Sequence, residues 1–133
     1  VQSPDRLQVL SPCAAFRGTV SQAPVKNPHD GDVYFDVKPD PGYANMLNAG
    51  NRNRSEGGLH IEIVPRDQPG CTPGQQVHVG DVRGLGACSG RDLAGPVLGA
   101  HVRIIGPWVL DRNNNWYEIH PAWSIKPARH SVK

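Results

Sequence analysis

No segment of this 133-residue chain approaches the roughly 18 to 20 apolar residues that a membrane-spanning helix requires. The longest apolar runs, such as Val102–Ile105, are broken by charge, which is the pattern of a soluble chain. An excess of one charge is also missing. With Lys+Arg at 14 and Asp+Glu at 12, the net charge is +2, too weak a field to gather nucleic acid or anionic membrane without a local patch. There is no nucleophile-elbow serine, Walker loop, HExxH or dinucleotide fingerprint, so the common hydrolase, kinase and dehydrogenase classes gain no support. The three cysteines, Cys13, Cys71 and Cys88, form no CxxC and stand at no zinc-finger spacing from the histidines. The first dozen residues lack the charged head and apolar centre of a signal peptide and start at Val1, as in a cleaved precursor or an expressed fragment.

Turn residues are plentiful instead. The 15 Gly and 13 Pro make 28 of 133 residues, heavy for a helical protein and indicative of many short connections. The length suits one domain with one core. Residues 1–13 read as a surface tail, 14–126 as a single β-barrel domain and 127–133 as a frayed tail.

Strands follow from alternation. Ala14–Ser21 is the first candidate, with Gly18 marking a sharp bend or a close backbone approach. In Asp32–Lys38, Val33, Phe35 and Val37 fall on one face and Asp32, Tyr34, Asp36 and Lys38 on the other. Pro39-Asp40-Pro41-Gly42 ends that strand, and one helical turn is expected over Tyr43–Asn48. Leu59, Ile61 and Ile63 point inward with His60 and Glu62 outward, and Pro65 stops the run. A short strand or turn of helix is expected around Gln75–Val82. Gly99–Gly106 places Val102 and Ile104 inward and His101 and Arg103 outward. Arg112–Asn115 is a hairpin tip, and Trp116–Ile125 returns as the last strand, with Pro121 confining its second half to an edge or bulge.

With no amphipathic helix longer than two turns, the strands must bury their inner faces against one another. The expected fold is all-β, a five-stranded OB-fold-like Greek-key barrel with a disulfide-bearing loop between strands 3 and 4. The disulfide is assigned to Cys71 and Cys88, which bracket a glycine-rich stretch. Closing that loop would contribute roughly 3 kcal/mol on the chain-entropy account and would imply an oxidising compartment. Cys13 is then left over, buried as a small hydrophobe or paired outside the chain.

The segments GDVYFDVKPD, LHIEIVP and GAHVRIIGPWVLDRNNNWYEIHPAW resemble a group of small exported bacterial and archaeal proteins of uncharacterised function. That group shares a closing W-x-E-I-H-P hairpin. The resemblance covers roughly residues 14 to 126 and implies an OB-like barrel and export, but no activity. The chain departs from the group at Asn113-Asn114-Asn115, where a His-Gly usually precedes the tryptophan.

Function, in this fold, has to reside on the polar outer face. The ligand-binding candidates are Tyr34, Asp36, His60, Glu62, Arg103, Trp116, Glu118 and His120. Two strands carry mirror-image pairs, His60-x-Glu62 and Glu118-x-His120, each on one face. Histidine with carboxylate suits zinc, manganese or iron, and His60, Glu62, Glu118 and His120 are the candidate metal ligands. Alternation alone does not make the two strands neighbours. The bland reading is a solvated face whose cross-strand pairs are worth a few tenths of a kcal/mol each. The Asp30-Gly31-Asp32 run lacks the Gly and Glu of a calcium loop and reads as a turn. The expectation is a secreted or cell-surface binding or accessory domain, monomeric, with an extracellular ligand, nucleic acid and oligosaccharide among the classes. No catalytic residue is assigned. The alternative is a metal-dependent, nuclease-like hydrolase using a His/Glu site, with Asp32, Asp36, Glu62 and Arg103 mimicking a nuclease set.

Overall fold

The computed structural model describes residues 4–26, 32–54, 57–64, 76–79, 82–87 and 95–129, of which 4, 54, 76–79 and 82–87 are described by backbone alone. The fold is all-β. Its strands are β1 (Leu7–Lys26), β2 (Val33–Pro39), β3 (Leu59–Ile63), β4 (Gln76–Val79), β5 (Val82–Ala87), β6 (His101–Asp111), β7 (Trp116–Ile119) and β8 (Ser124–Pro127). Between β2 and β3 lie a 3-10 turn, Ala44–Met46, and the helix α1, Ala49–Arg54. Strands β4 and β5 pair with each other in the insertion between β3 and β6.

The main sheet runs β1-β2-β3-β7-β6-β8, and β1 also pairs with β6, so five strands close into a ring. The long first strand makes this closure. Its earlier part, from Leu7 to Thr19, pairs with β6, and its later part, from Gly18 to Lys26, pairs with β2. Gly18 belongs to both ladders, and a Cβ there would lie 2.0 Å from the Lys38 carbonyl oxygen. The close approach that its glycine suggested is therefore the corner where the ring is pulled shut.

Alternation then fills the interior. Phe16, Val20, Phe35, Val37, Leu59, Ile61, Ile63, Val102, Ile104 and Ile119 form the buried core. Each buried Val, Leu, Ile or Phe contributes about 1.5–3 kcal/mol relative to exposure. The inward assignments on β2, β3 and β6 agree with this, with Val33 packed at the margin. Met46, Leu47, Trp108 and Tyr117 close one end, where the Trp108 indole donates to the Met46 carbonyl at 3.1 Å.

Several expectations change. Residues 7–13 are strand rather than tail, and Leu7 is buried. Their alternation is blurred by register shifts between Val9, Ser11 and Ala14, where Pro12 has no N–H to donate. Cys13 lies within that irregular stretch and is exposed and free, not buried. The polar stretch Asn51–Gly58, whose composition suggests a loop, begins inside the helix α1. The expected single last strand is two, β7 and β8, separated by the cis His120–Pro121 peptide, and both pair with β6. Cys71 and Cys88, with their expected disulfide, lie outside the described residues.

Candidate functional site

The two mirror-image pairs are brought together by a parallel pairing. Strand β3 runs alongside β7 with His60 opposite Glu118 and Ile61 opposite Ile119. Directly opposed residues share a face, so register alone assembles one transverse row. Asp36 faces His60, His60 faces Glu118, Glu118 faces Val109 and Val109 faces Val9, crossing all five ring strands. Beside it, Tyr34 is opposite Glu62. His120 lies just past β7, where its N–H donates to the Pro107 carbonyl at 3.1 Å, while Ala122 N–H donates to the Glu62 carbonyl at 2.8 Å. These two bonds hold the segment after β7 against β6 and β3.

The outer face is not solvated here. Glu118 is 0 % exposed, His120 2 %, Asp36 3 % and Asp32 4 %, while the side chains of His60 and Glu62 are 12 % and 13 % exposed. The period of a strand assigns a side chain to a face but not what lies over that face, which is why sequence suggested water. A buried carboxylate needs compensation, and the cluster supplies it internally.

His60 Nδ1 is 2.9 Å from Asp36 Oδ1. An ionised carboxylate only accepts, so that nitrogen carries the proton and donates. His60 Nε2 then faces Glu62 Oε2 at 3.8 Å, too long for a hydrogen bond. His120 Nδ1 is 2.9 Å from Glu118 Oε1 and 3.3 Å from Glu62 Oε2. The other Glu118 oxygen accepts from the Trp116 indole N–H at 2.6 Å. Trp116 also lays its ring against His60, centroids 5.2 Å apart, and Tyr34 covers the same imidazole at 5.4 Å. His120 Nε2 is buried and has no hydrogen-bond partner.

These contacts set the charges. Burial alone would raise the Glu118 pKa, but the His120 hydrogen bond, the charges of His60 and His120 and the Trp116 donor together push it down to about 2. Glu62 has no such donor set. Burial raises its pKa, the Glu118 and Asp32 charges add to this, and His120 and His60 oppose it. Burial would lower the pKa of both imidazoles, yet both are raised. For His60 the Asp36 hydrogen bond and the Glu118, Glu62 and Asp36 charges prevail. For His120 the Glu118 bond and the Glu62 and Glu118 charges do so, against Arg6.

Seven of the eight candidate ligand-binding residues therefore converge: Tyr34, Asp36, His60, Glu62, Trp116, Glu118 and His120. Arg103 does not. It is exposed and opposite Arg17 and Lys126, six residues along β6 from Val109, about 20 Å of strand. The nuclease-like set that needed Arg103 is thus not assembled. His101 sits elsewhere too, its Nε2 2.7 Å from Asp40 Oδ2 and its Nδ1 3.0 Å from the Ala128 carbonyl. One residue placed on this face from sequence, Asp32, joins the cluster, and one that sequence left in a tail, Arg6, adjoins it. Asp32, read as the start of a strand, offers a ligand atom within 4.8 Å of those of Glu62 and His120. Arg6, from the expected tail, stands 3.5 Å from Asp111, and its charge opposes the rise in the His120 pKa. The Asp30-Gly31-Asp32 turn motif accounts for Asp32 only by position, and no periodicity marks Arg6.

Two sets of side chains have the donor types and spacing to hold a cation, Asp32, Glu62 and His120, and His60, Glu62 and Glu118, each with one ligand atom per residue mutually within 4.8 Å. Among the described residues, no helix is long and apolar enough to cross a membrane. Comparison of the chain with protein-family models, with curated proteins and with solved structures gives no match, so the geometry of this cluster is what bears on function.

Proposed function

We propose that this chain is a secreted OB-type binding or accessory domain whose outer barrel face, on β2, β3 and β7, receives a positively charged ligand. The OB assignment is supported by the ring order β1-β2-β3-β7-β6 returning to β1, and by the single parallel pairing of β3 with β7. The observation that carries the functional reading is electrostatic. Four carboxylates, Asp32, Asp36, Glu62 and Glu118, are withdrawn from water beside two imidazoles. Carboxylates outnumber imidazoles four to two in that group, so a cation entering it meets mainly charge of the opposite sign. The same charges disfavour single-stranded nucleic acid, whose phosphates an OB face normally meets with Lys and Arg.

A thermal-shift panel tests this: zinc, calcium, spermidine and arginine as cationic probes, and a twelve-residue oligothymidylate as the anionic one. At least one cation is expected to raise the Tm of the wild type by more than about 2 °C, and to do so less in a Glu62→Gln/Glu118→Gln double variant. Stabilisation by the oligonucleotide, or by none of the cations, would overturn the reading.

A further inference from the structure

The cluster has a more particular character than negative charge, and resting on the binding reading above, we infer that the cation is a divalent first-row transition-metal ion. The ligands are His60 through Nε2, Glu62 through Oε2 and Glu118 through Oε1, with His120 as the fourth.

Spacing is the first reason. Ligands on one tetrahedral zinc-like ion, at about 2.0–2.2 Å from it, lie about 3.4 Å from one another. The gaps between His60 Nε2 and Glu62 Oε2, His120 Nδ1 and Glu62 Oε2, and His120 Nδ1 and Glu118 Oε1 are 3.8, 3.3 and 2.9 Å. The Glu118 carboxylate closes the His60–Glu62 pair within 4.8 Å. His60, Glu62 and Glu118 thus stand at the spacing of one ion's ligands, and His120, now hydrogen-bonded to Glu118 through Nδ1, would join them on releasing that proton, as ligands do when a metal binds.

Orientation is the second. A metal-binding histidine characteristically donates its other ring N–H to a carboxylate, which fixes the tautomer and aims the free nitrogen. Asp36 does this to His60, leaving Nε2 facing Glu62 without a hydrogen bond. The Trp116 indole holds Glu118 through Oε2, so that Oε1 is turned to His120 within the cluster. Neither Asp36 nor Trp116 is a ligand; both are positioning residues.

Incompleteness is the third. His120 is 2 % exposed, yet its Nε2 bonds nothing. Leaving a buried ring nitrogen unsatisfied is unfavourable, and His120 also belongs to the second set of ligand atoms, with Asp32 and Glu62, within 4.8 Å of one another. The residue types decide the class of ion: two imidazoles with two carboxylates suit zinc, manganese or iron, whereas calcium and magnesium prefer oxygen alone.

The test uses the tag-free protein stripped with a chelator and dialysed, titrated by calorimetry with zinc or manganese chloride, with bound metal counted by mass spectrometry. The expected result is one equivalent of zinc or manganese bound. His60→Ala and Glu62→Gln should each weaken binding at least 30-fold, while Arg103→Ala leaves it unchanged. Asp36→Asn should weaken binding about 10-fold, as removal of an orienting partner does, with the stoichiometry kept. Folding is checked on each apoprotein by circular dichroism. Glu62→Gln should melt no lower than wild type, because burial already burdens its charge, so loss of binding in that variant is loss of the site. Neither ion bound by the wild type, or equal affinity in His60→Ala and Glu62→Gln, overturns the inference. If calcium or an amine stabilises the fold while neither transition metal binds, the metal inference falls and the cation-binding reading stands. If no cation binds, both fall.

Discussion

Two buried polar centres adjoin β7, and they are built on opposite principles. Asn51, from α1, is fully buried and all its capacity is spent on backbone. Its Nδ2 donates to the carbonyls of Tyr117 at 2.9 Å and Gly58 at 3.2 Å, and its Oδ1 accepts from the N–H groups of Tyr117 at 2.9 Å and Asn48 at 3.1 Å. Asn48 returns the bond, its Oδ1 accepting from Asn51 N–H at 3.0 Å. This centre is neutral, closed and bonded to main chain. The His60–Glu62–Glu118–His120 centre is charged, bonded side chain to side chain, and has a ring nitrogen left over. The first arrangement specifies where β7 sits relative to α1. The second holds reactive groups in fixed positions without using them up, as a preorganised binding centre requires.

Removing the closed centre should have the largest effect. Asn51→Ala strands the Tyr117 N–H and carbonyl together with the groups of Gly58 and Asn48, and each unsatisfied buried group costs about 1–3 kcal/mol. Urea denaturation is expected to show a loss of about 3–5 kcal/mol, equal with chelator and with saturating zinc. A loss under 1 kcal/mol would erase the distinction between the two centres.

The charged centre should instead respond to pH. Because Glu118 is held at about 2 when folded, against an ordinary value of 4.5, the folded state binds its proton more weakly than the unfolded chain. Its contribution is complete above pH 4.5 and is lost as pH falls toward 2, roughly 2–3 kcal/mol across that window. The stability difference between wild type and Glu118→Gln in chelator, present at pH 6, should vanish by pH 2. A difference constant over that range would mean that Glu118 gains nothing from its partners. His60 and His120 act with the opposite sign. Their raised values add stability below pH 6.5 that fades as pH rises through the folded pKa values, and the raised Glu62 value adds stability below pH 4.5 that fades likewise. The apoprotein should therefore lose stability both below pH 4.5, through Glu118, and above pH 6.5, with an optimum between. Asn51→Ala should move that optimum not at all.

The smallest effect is expected from Trp116→Phe, which keeps the ring over His60 and deletes only the indole N–H on Glu118 Oε2. It should cost about 1 kcal/mol and shift the acid limb of the stability curve upward. An unchanged acid limb would show that Trp116 covers the centre without tuning it.

Much of this protein was legible from local pattern. Phe35, Val37, Leu59, Ile61, Ile63, Val102 and Ile104 are core because a strand alternates. Gly18 sits at a corner because only glycine admits the Lys38 carbonyl so closely. Asn115 takes a positive φ of 58° at the hairpin tip, while the Asn113 and Asn114 N–H groups bond Asp111 Oδ1, the left-handed turn that an asparagine run favours. The pairs His60/Glu62 and Glu118/His120 were each visible as same-face neighbours within one strand. The cover over that face, the strand status of residues 7–13 and the displacement of Arg103 were not, since each depends on which strands become neighbours. Sequence by itself thus determined which residues face in, which face out and where the chain turns, because those follow from backbone stereochemistry over two or three residues. Only tertiary structure decided that β3 lies parallel to β7 with His60 opposite Glu118. A ladder's register between segments some 60 residues apart is selected by closure of the whole ring, and that closure converts two unremarkable polar pairs into one buried charged centre.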